Sequence, residues 1–148
     1  MKIPNSIGWS LDHSTLYFTH STSRVINAYD YSPATGTITN ERPFYTHDGP
    51  GEPDGFKVDV EGNLWSAVYG ESRVLKISTE GKLVGEILLP AKCITCPVFV
   101  GTELYITSAS DKGESKLGGD VFRVDIGVRG VEPFKFKIDD GVSSLLKN

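Results

Sequence analysis

Three copies of one pattern follow each other along this 148-residue chain, and that repetition limits the fold more than any other feature. The first copy reads Ser6-Ile7-Gly8-Trp9-Ser10, a polar turn at Asp12-His13-Ser14, then Leu16-Tyr17-Phe18-Thr19 and Arg24-Val25-Ile26-Asn27-Ala28-Tyr29-Asp30. The second reads Gly55-Phe56-Lys57-Val58-Asp59, the turn Glu61-Gly62-Asn63, then Leu64-Trp65-Ser66-Ala67-Val68 and Arg73-Val74-Leu75-Lys76-Ile77. The third has Pro97-Val98-Phe99-Val100, the turn Gly101-Thr102-Glu103, Leu104-Tyr105-Ile106-Thr107 and Asp120-Val121-Phe122-Arg123-Val124-Asp125. Each copy closes with a fourth apolar segment after a glycine-containing turn: Thr37 to Phe44, Lys82 to Leu89, and Val131-Glu132-Pro133-Phe134-Lys135-Phe136.

Four short strands per copy, recurring at a near-constant period, describe a β-propeller blade. Leu16, Leu64 and Leu104 stand 48 and 40 residues apart (64 minus 16, 104 minus 64), which brackets the roughly 40 to 50 residues of a blade. Alternation such as Arg73-Val74-Leu75-Lys76-Ile77 places apolar side chains by the two-residue strand period, and no stretch sustains a helical period. The expected architecture is all-β: one domain over residues 1–148, a partial β-propeller made of three four-stranded blades at about 5–47, 54–90 and 94–138. A blade buries its faces only against neighbours, so an arc of three leaves two faces open. Either further blades complete the ring or two chains associate through those faces.

Composition narrows the partners. A formal net charge of -4 opposes the clustered positive field that nucleic acid requires. No apolar run approaches the roughly 20 residues of a membrane span, and Met1-Lys2-Ile3-Pro4-Asn5 lacks the apolar core of a signal peptide. The expectation is a cytoplasmic chain with neither nucleic acid nor membrane as partner. Its motif begins so near Met1 that a fragment of a longer protein is also expected. Cys93-Ile94-Thr95-Cys96 is a single CxxC without the second ligand pair of a zinc site, so both cysteines are expected as plain thiols.

Ligands of propellers bind at one mouth of the central channel, near the starts of the innermost strands. Those starts are Ile3-Pro4-Asn5-Ser6, Gly51-Glu52-Pro53-Asp54-Gly55 and Cys93-Ile94-Thr95-Cys96. Asn5 and Asp54 occupy equivalent places, 49 residues apart (54 minus 5). An amide carbonyl with a carboxylate suits a hard divalent cation. Asn and Asp before strands also serve as turn formers that bond their own backbone, and the residues alone leave both readings open. His13, His20 and His47 lack metal-ligand spacing and are expected as exposed turn residues, with His47-Asp48 on the loop that leads to Asp54. Trp9, Trp65 and Tyr105 are expected in the core between blades. Ser10 and Ser66 have no recognisable His and acid partners for a nucleophilic mechanism.

Asn5-Ser6-Ile7-Gly8-Trp9-Ser10-Leu11-Asp12, Pro53-Asp54-Gly55, and Val58-Asp59-Val60-Glu61-Gly62-Asn63-Leu64-Trp65 together resemble the gluconolactonase and regucalcin family, also called the senescence marker protein family. The likeness continues through Leu104-Tyr105-Ile106-Thr107-Ser108-Ala109 and Gly118-Gly119-Asp120-Val121-Phe122, in order over nearly the whole chain, and is with the family's C-terminal half. The resemblance implies a six-bladed propeller that holds one divalent cation and hydrolyses sugar lactones or related esters. It makes Asn5 and Asp54 metal ligands and Asp54 also the catalytic base. It implies calcium foremost, with zinc or another divalent metal as the alternative, and a small-molecule lactone or ester as substrate. The family's metal-binding glutamate and most sugar contacts belong to earlier blades without counterpart here. Ser6 stands where glycine is usual, and His20 where aspartate is frequent. The competing expectation is a non-catalytic, metal-binding or interaction half-propeller, or an inactive truncation.

Overall fold

The computed structural model describes residues 3–110 and 116–134. The first four strands, β1 (Pro4–Trp9), β2 (Thr15–His20), β3 (Val25–Ser32) and β4 (Thr37–Thr46), form one antiparallel sheet in chain order. The next four, β5 (Glu52–Val58), β6 (Leu64–Tyr69), β7 (Arg73–Ile77) and β8 (Leu83–Leu88), repeat it. β9 (Cys93–Val100), β10 (Glu103–Ala109) and β11 (Val121–Asp125) make the third blade, joined to the second by the single bridge Tyr69 to Cys93. Local chemistry agrees with this order. Pro43, which has no N–H to donate, lies on the outermost strand β4, where a ladder bond is dispensable.

The third blade corrects one expectation. Among the described residues it has three strands, because the segment expected as its fourth does not pair with β11. Instead Gly130 bridges Asp59, the Val60 amide donates to Arg129 O at 2.9 Å, and the Val131 amide donates to Val58 O at 3.0 Å. Residues 129–134 thus run back along the arc toward the second and first blades, ending with Phe134 edge-on to Trp9. Residues 135–138 of the expected third blade lie outside the described residues.

The core lies between blades. Tyr17, Ile26 and Ala28 of the first blade pack with Phe56, Leu64, Val68, Leu75 and Ile77 of the second. Trp65, Ala67 and Val74 on the other face of the second blade pack with Ile94, Leu104 and Ile106 of the third. This explains why Leu64-Trp65-Ser66-Ala67-Val68 is buried at every position: alternate residues serve opposite faces, and both are covered. Each large apolar side chain so buried contributes about 1.5–3 kcal/mol. Close approach of the inner strands demands Gly8, since a Cβ there would lie 2.7 Å from the Phe56 ring.

Burial on both sides is most complete in the middle blade; in the first, Leu16 and Tyr17, neighbours on opposite faces of β2, are both buried. Trp65 is core as expected, whereas Trp9 and Tyr105 are half-buried on the outward faces of the first and third blades. Those faces also expose Ile7 (51%), Val98 (46%), Val100 (56%) and Val121 (62%).

Candidate functional site

All three innermost strands depart from regular pairing near their starts. The β1–β2 register shifts between Pro4 and Ile7, the β5–β6 register between Pro53 and Phe56, and the β9–β10 register at Thr95, between partners Ile94 and Cys96. A bulge re-aims the side chains it carries. Asn5, Asp54 and Thr95 therefore stand at blade-equivalent bulges on one mouth of the arc.

Two of these side chains meet. Asn5 Nδ2 donates to Asp54 Oδ1 and, at 3.2 Å, to Ser21 Oγ. Ser6 pins the two strands together beneath them: its hydroxyl donates to Asp54 O at 2.9 Å, accepts from the Phe56 amide at 3.1 Å, and lies 3.1 Å from Thr19 Oγ1. On the other side the β5 bulge presses against β9. A Cβ at Gly55 would lie 2.7 Å from Cys96 Sγ and 2.8 Å from Thr95 O, so only glycine lets Asp54 approach the third blade. Thr95 Oγ1 is 2.7 Å from Thr107 Oγ1, which anchors its hydroxyl at the mouth.

Electrostatics distinguish Asp54 from the other carboxylates. Burial pushes its pKa up, and the nearby Glu52 charge adds to this; the Asn5 amide and a Gly55 backbone contact act in the opposite direction without cancelling it. A carboxylate held in this way gains from a positive charge. Burial likewise raises the Cys96 thiol, and the Asp54 charge reinforces the effect against Lys57, so Cys96 is a neutral thiol at pH 7 rather than a thiolate ligand. Both cysteines are free, Cys93 buried and Cys96 half-buried.

Asn5 Oδ1 and the Asp54 carboxylate fit a hard cation such as calcium better than a soft one. Two donors fall short of the six to eight oxygens calcium takes. Among the described residues no group of three or more His, Cys, Asp or Glu side chains could hold a metal ion.

The histidines depart from the sequence reading. His47 is buried, with Nε2 3.0 Å from Glu71 Oε1 and Nδ1 3.4 Å from the Tyr45 hydroxyl. Glu71 also accepts from the Gly51 amide at 2.6 Å and pairs with Arg73 at 3.2 Å. Burial works to raise Glu71, but the Gly51 amide, His47 and Arg73 outweigh it and hold the carboxyl below its usual range. The pair thereby ties down the loop that delivers Asp54. His13 and His20 are half-buried against Phe134 and Phe18, at centroid distances of 5.4 and 4.6 Å.

Asp59, the first acid of the Asp-x-Glu-Gly-Asn-Leu-Trp stretch, is not at the mouth. It is fully buried at the opposite end of β5. Its Oδ1 accepts from the Glu61 amide at 3.0 Å and the Asn63 amide at 2.9 Å. Its Oδ2 accepts from Trp65 Nε1 at 2.9 Å and Asn63 Nδ2 at 3.0 Å. The residues most diagnostic in sequence close a turn.

Residues 1–110 match the family described as the SMP-30/Gluconolactonase/LRE-like region. Regucalcin of Xenopus laevis is 38% identical, over 92% of this chain and 50% of the relative. Among solved structures, a luciferin-regenerating enzyme superposes with a TM-score of 0.82 at 37% identity, covering 92% of this chain and 49% of that one. A calcium-binding protein, regucalcin, from Agrobacterium tumefaciens superposes with a TM-score of 0.78 at 30% identity, covering 90% and 48%. The chain spans about half the length of the relatives it matches. Among the described residues no helix is long and apolar enough to cross a membrane.

Proposed function

Since this chain belongs to the SMP-30/gluconolactonase/LRE-like family, we propose that it supplies half of the site of a divalent-metal-dependent hydrolase of sugar lactones or related esters. One observation carries the reading: Asn5 and Asp54, from equivalent bulges of neighbouring blades, bring an amide and a desolvated carboxylate into direct contact at the channel mouth. Calcium is the cation that this oxygen pair favours, in keeping with the similarity to a calcium-binding regucalcin.

A divalent cation held by Asn5 and Asp54 would supply Lewis acidity toward a lactone carbonyl. The chain's own residues do the rest. Asn5 and Asp54 hold the cation, and Ser21 and Ser6 fix their orientation through the contacts already described. Asp54 is also the group placed to accept the proton of the attacking water. Ligation draws on the same electron pairs, so the two duties of Asp54 compete. The reading places substrate choice largely on blades beyond these three.

A second reading rests on the small donor set: with two ligating side chains among the described residues, the arc binds a cation without turning over a lactone. Calorimetric titration with calcium and a pH-stat assay on glucono-δ-lactone separate the two. Calcium binding that is lost in Asp54→Asn, with calcium-dependent lactone opening, supports the hydrolase. Binding without opening supports the second reading, and unchanged affinity in Asp54→Asn overturns both.

A further inference from the structure

The β5 bulge that carries Asp54 is held from a position that recurs in the repeat. Thr22 and Glu71 each stand two residues past the second strand of their blade, β2 ending at His20 and β6 at Tyr69. They are 49 residues apart (71 minus 22), the same spacing as Asn5 and Asp54. Both side chains accept from a backbone amide just ahead of the site residue in their blade. Thr22 Oγ1 accepts from the Ile3 amide at 3.2 Å, two residues before Asn5, and Glu71 Oε1 accepts from the Gly51 amide at 2.6 Å, three residues before Asp54. In each blade the turn after the second strand thus latches the strand that bears the site residue.

The second latch is charged and enclosed. The Glu71 side chain is 6% exposed. Burial works against its ionisation, but the Gly51 amide, His47 and Arg73 prevail, so Glu71 is an anion at neutral pH. A hydrogen bond to such an anion is stronger than one to a hydroxyl. The loop over residues 47–51 lies directly on this side chain: a Cβ at Gly49 would overlap Glu71 Oε1, and one at Gly51 would lie 2.7 Å from Glu71 Cγ. The other flank of the loop is tied to the first blade, where the Arg24 guanidinium donates to Gly49 O at 2.8 Å and the His47 amide donates to Arg24 O at 2.9 Å. The Arg24 amide donates in turn to Ser21 O at 2.8 Å, and Ser21 Oγ accepts from Asn5. One contiguous network runs from Glu71 to both members of the Asn5–Asp54 pair.

We propose that Glu71 is a positioning residue of the cation site: its carboxylate fixes the 47–51 loop so that the β5 bulge holds Asp54 against Asn5. Glu71 acts through the backbone, by way of the Gly51 amide. Without the carboxylate that amide loses its acceptor, the loop lifts from β6, and Asp54 loses its register with Asn5. Residues that orient a metal ligand from outside the coordination sphere typically change affinity by about 10–100-fold. The inference rests on the proposed metal role of Asn5 and Asp54.

The test combines the proton–nitrogen NMR spectrum of the metal-free chain, in which the Asn5 side-chain amide reports its contact with Asp54, with calcium calorimetry. In Glu71→Ala the Asn5 proton donated to Asp54 moves to the position of a solvent-exposed amide, the Ala67 and Val68 amides of β6 stay in place, and calcium affinity falls at least about tenfold. Glu71→Gln keeps an acceptor for Gly51 and restores both readings, although its melting temperature remains below that of the wild type because the charge facing His47 and Arg73 is gone. Gly49→Ala unlatches the loop with Glu71 still in place, and displaces the same Asn5 signal even where Glu71→Ala does not fold. A merely structural Glu71 would lower the melting temperature in all three variants and leave the Asn5 signal and the calcium affinity unmoved, and that result overturns the proposal. A displaced Asn5 signal in variants of a wild type that binds no calcium instead overturns the metal role, leaving the latch on Asp54 standing.

Discussion

β5 carries an aspartate at the channel mouth and is followed by another at its far end, and the two are opposites. Asp59 is fully buried yet surrounded by donors: two backbone amides, the Asn63 amide and the Trp65 indole, with Lys76 Nζ at 4.0 Å. Asp54 is less buried, but its side chain meets the Asn5 amide and a Gly55 backbone contact without full compensation, and its pKa is driven up by burial. Low solvent access alone therefore does not separate a structural acid from a functional one. What separates them is whether the protein itself supplies the compensating donors: Asp59 holds the fold, and Asp54 is the acid proposed to gain from a ligand.

The largest expected effect is at the satisfied end. Asp59→Ala strands the Trp65 N–H, two turn amides and a nearby lysine charge, and is expected to cost about 3–5 kcal/mol in urea unfolding. A cost below about 1 kcal/mol would show that the turn does not depend on the acid. Next comes Gly55→Ala. Its new Cβ meets Cys96 Sγ at 2.7 Å and a Thr95 carbonyl at 2.8 Å, so overpacking is expected to cost about 1–3 kcal/mol and to weaken calcium binding by moving Asp54. Equal stability and affinity in this variant would mean that the second and third blades adjust freely at the mouth.

The smallest stability effect, with the opposite sign, is at Asp54. A folded-state pKa above the unfolded value favours the protonated acid, so this group lowers metal-free stability as pH rises from roughly 4 through its raised range. Asp54→Asn removes that loss. The metal-free variant is expected to match or slightly exceed the wild type in melting temperature at pH 7, with no advantage at pH 3. Saturating calcium reverses the order at pH 7, because only the wild type gains from the ion. A variant less stable than metal-free wild type at pH 7 would place Asp54 with Asp59 as a structural acid.

Much of this was legible in the chain because strand periodicity and blade period are local. The leucine–aromatic pairs at 16, 64 and 104 mark the second strand of each blade and orient the faces, and the blade starts lead to Asn5 and Asp54. Other features depend on partners distant in sequence. Thr95 shares the bulge position of Asn5 and Asp54, but a bulge exists only relative to the neighbouring strand and leaves no mark in the sequence of Thr95 and its flanking cysteines. His47 reads as a turn histidine because Glu71, which buries it in a pair, stands 24 residues on. The alternation after Val131 resembles an outer strand, yet the Val131 amide bonds Val58 O on the second blade instead.

The most direct test of the difference between the two aspartates is calorimetric titration of calcium into wild type and Asp54→Asn under one set of conditions. The account predicts saturable binding in the wild type and none in the variant, with both folded by far-ultraviolet circular dichroism. Equal binding in the two proteins would contradict it.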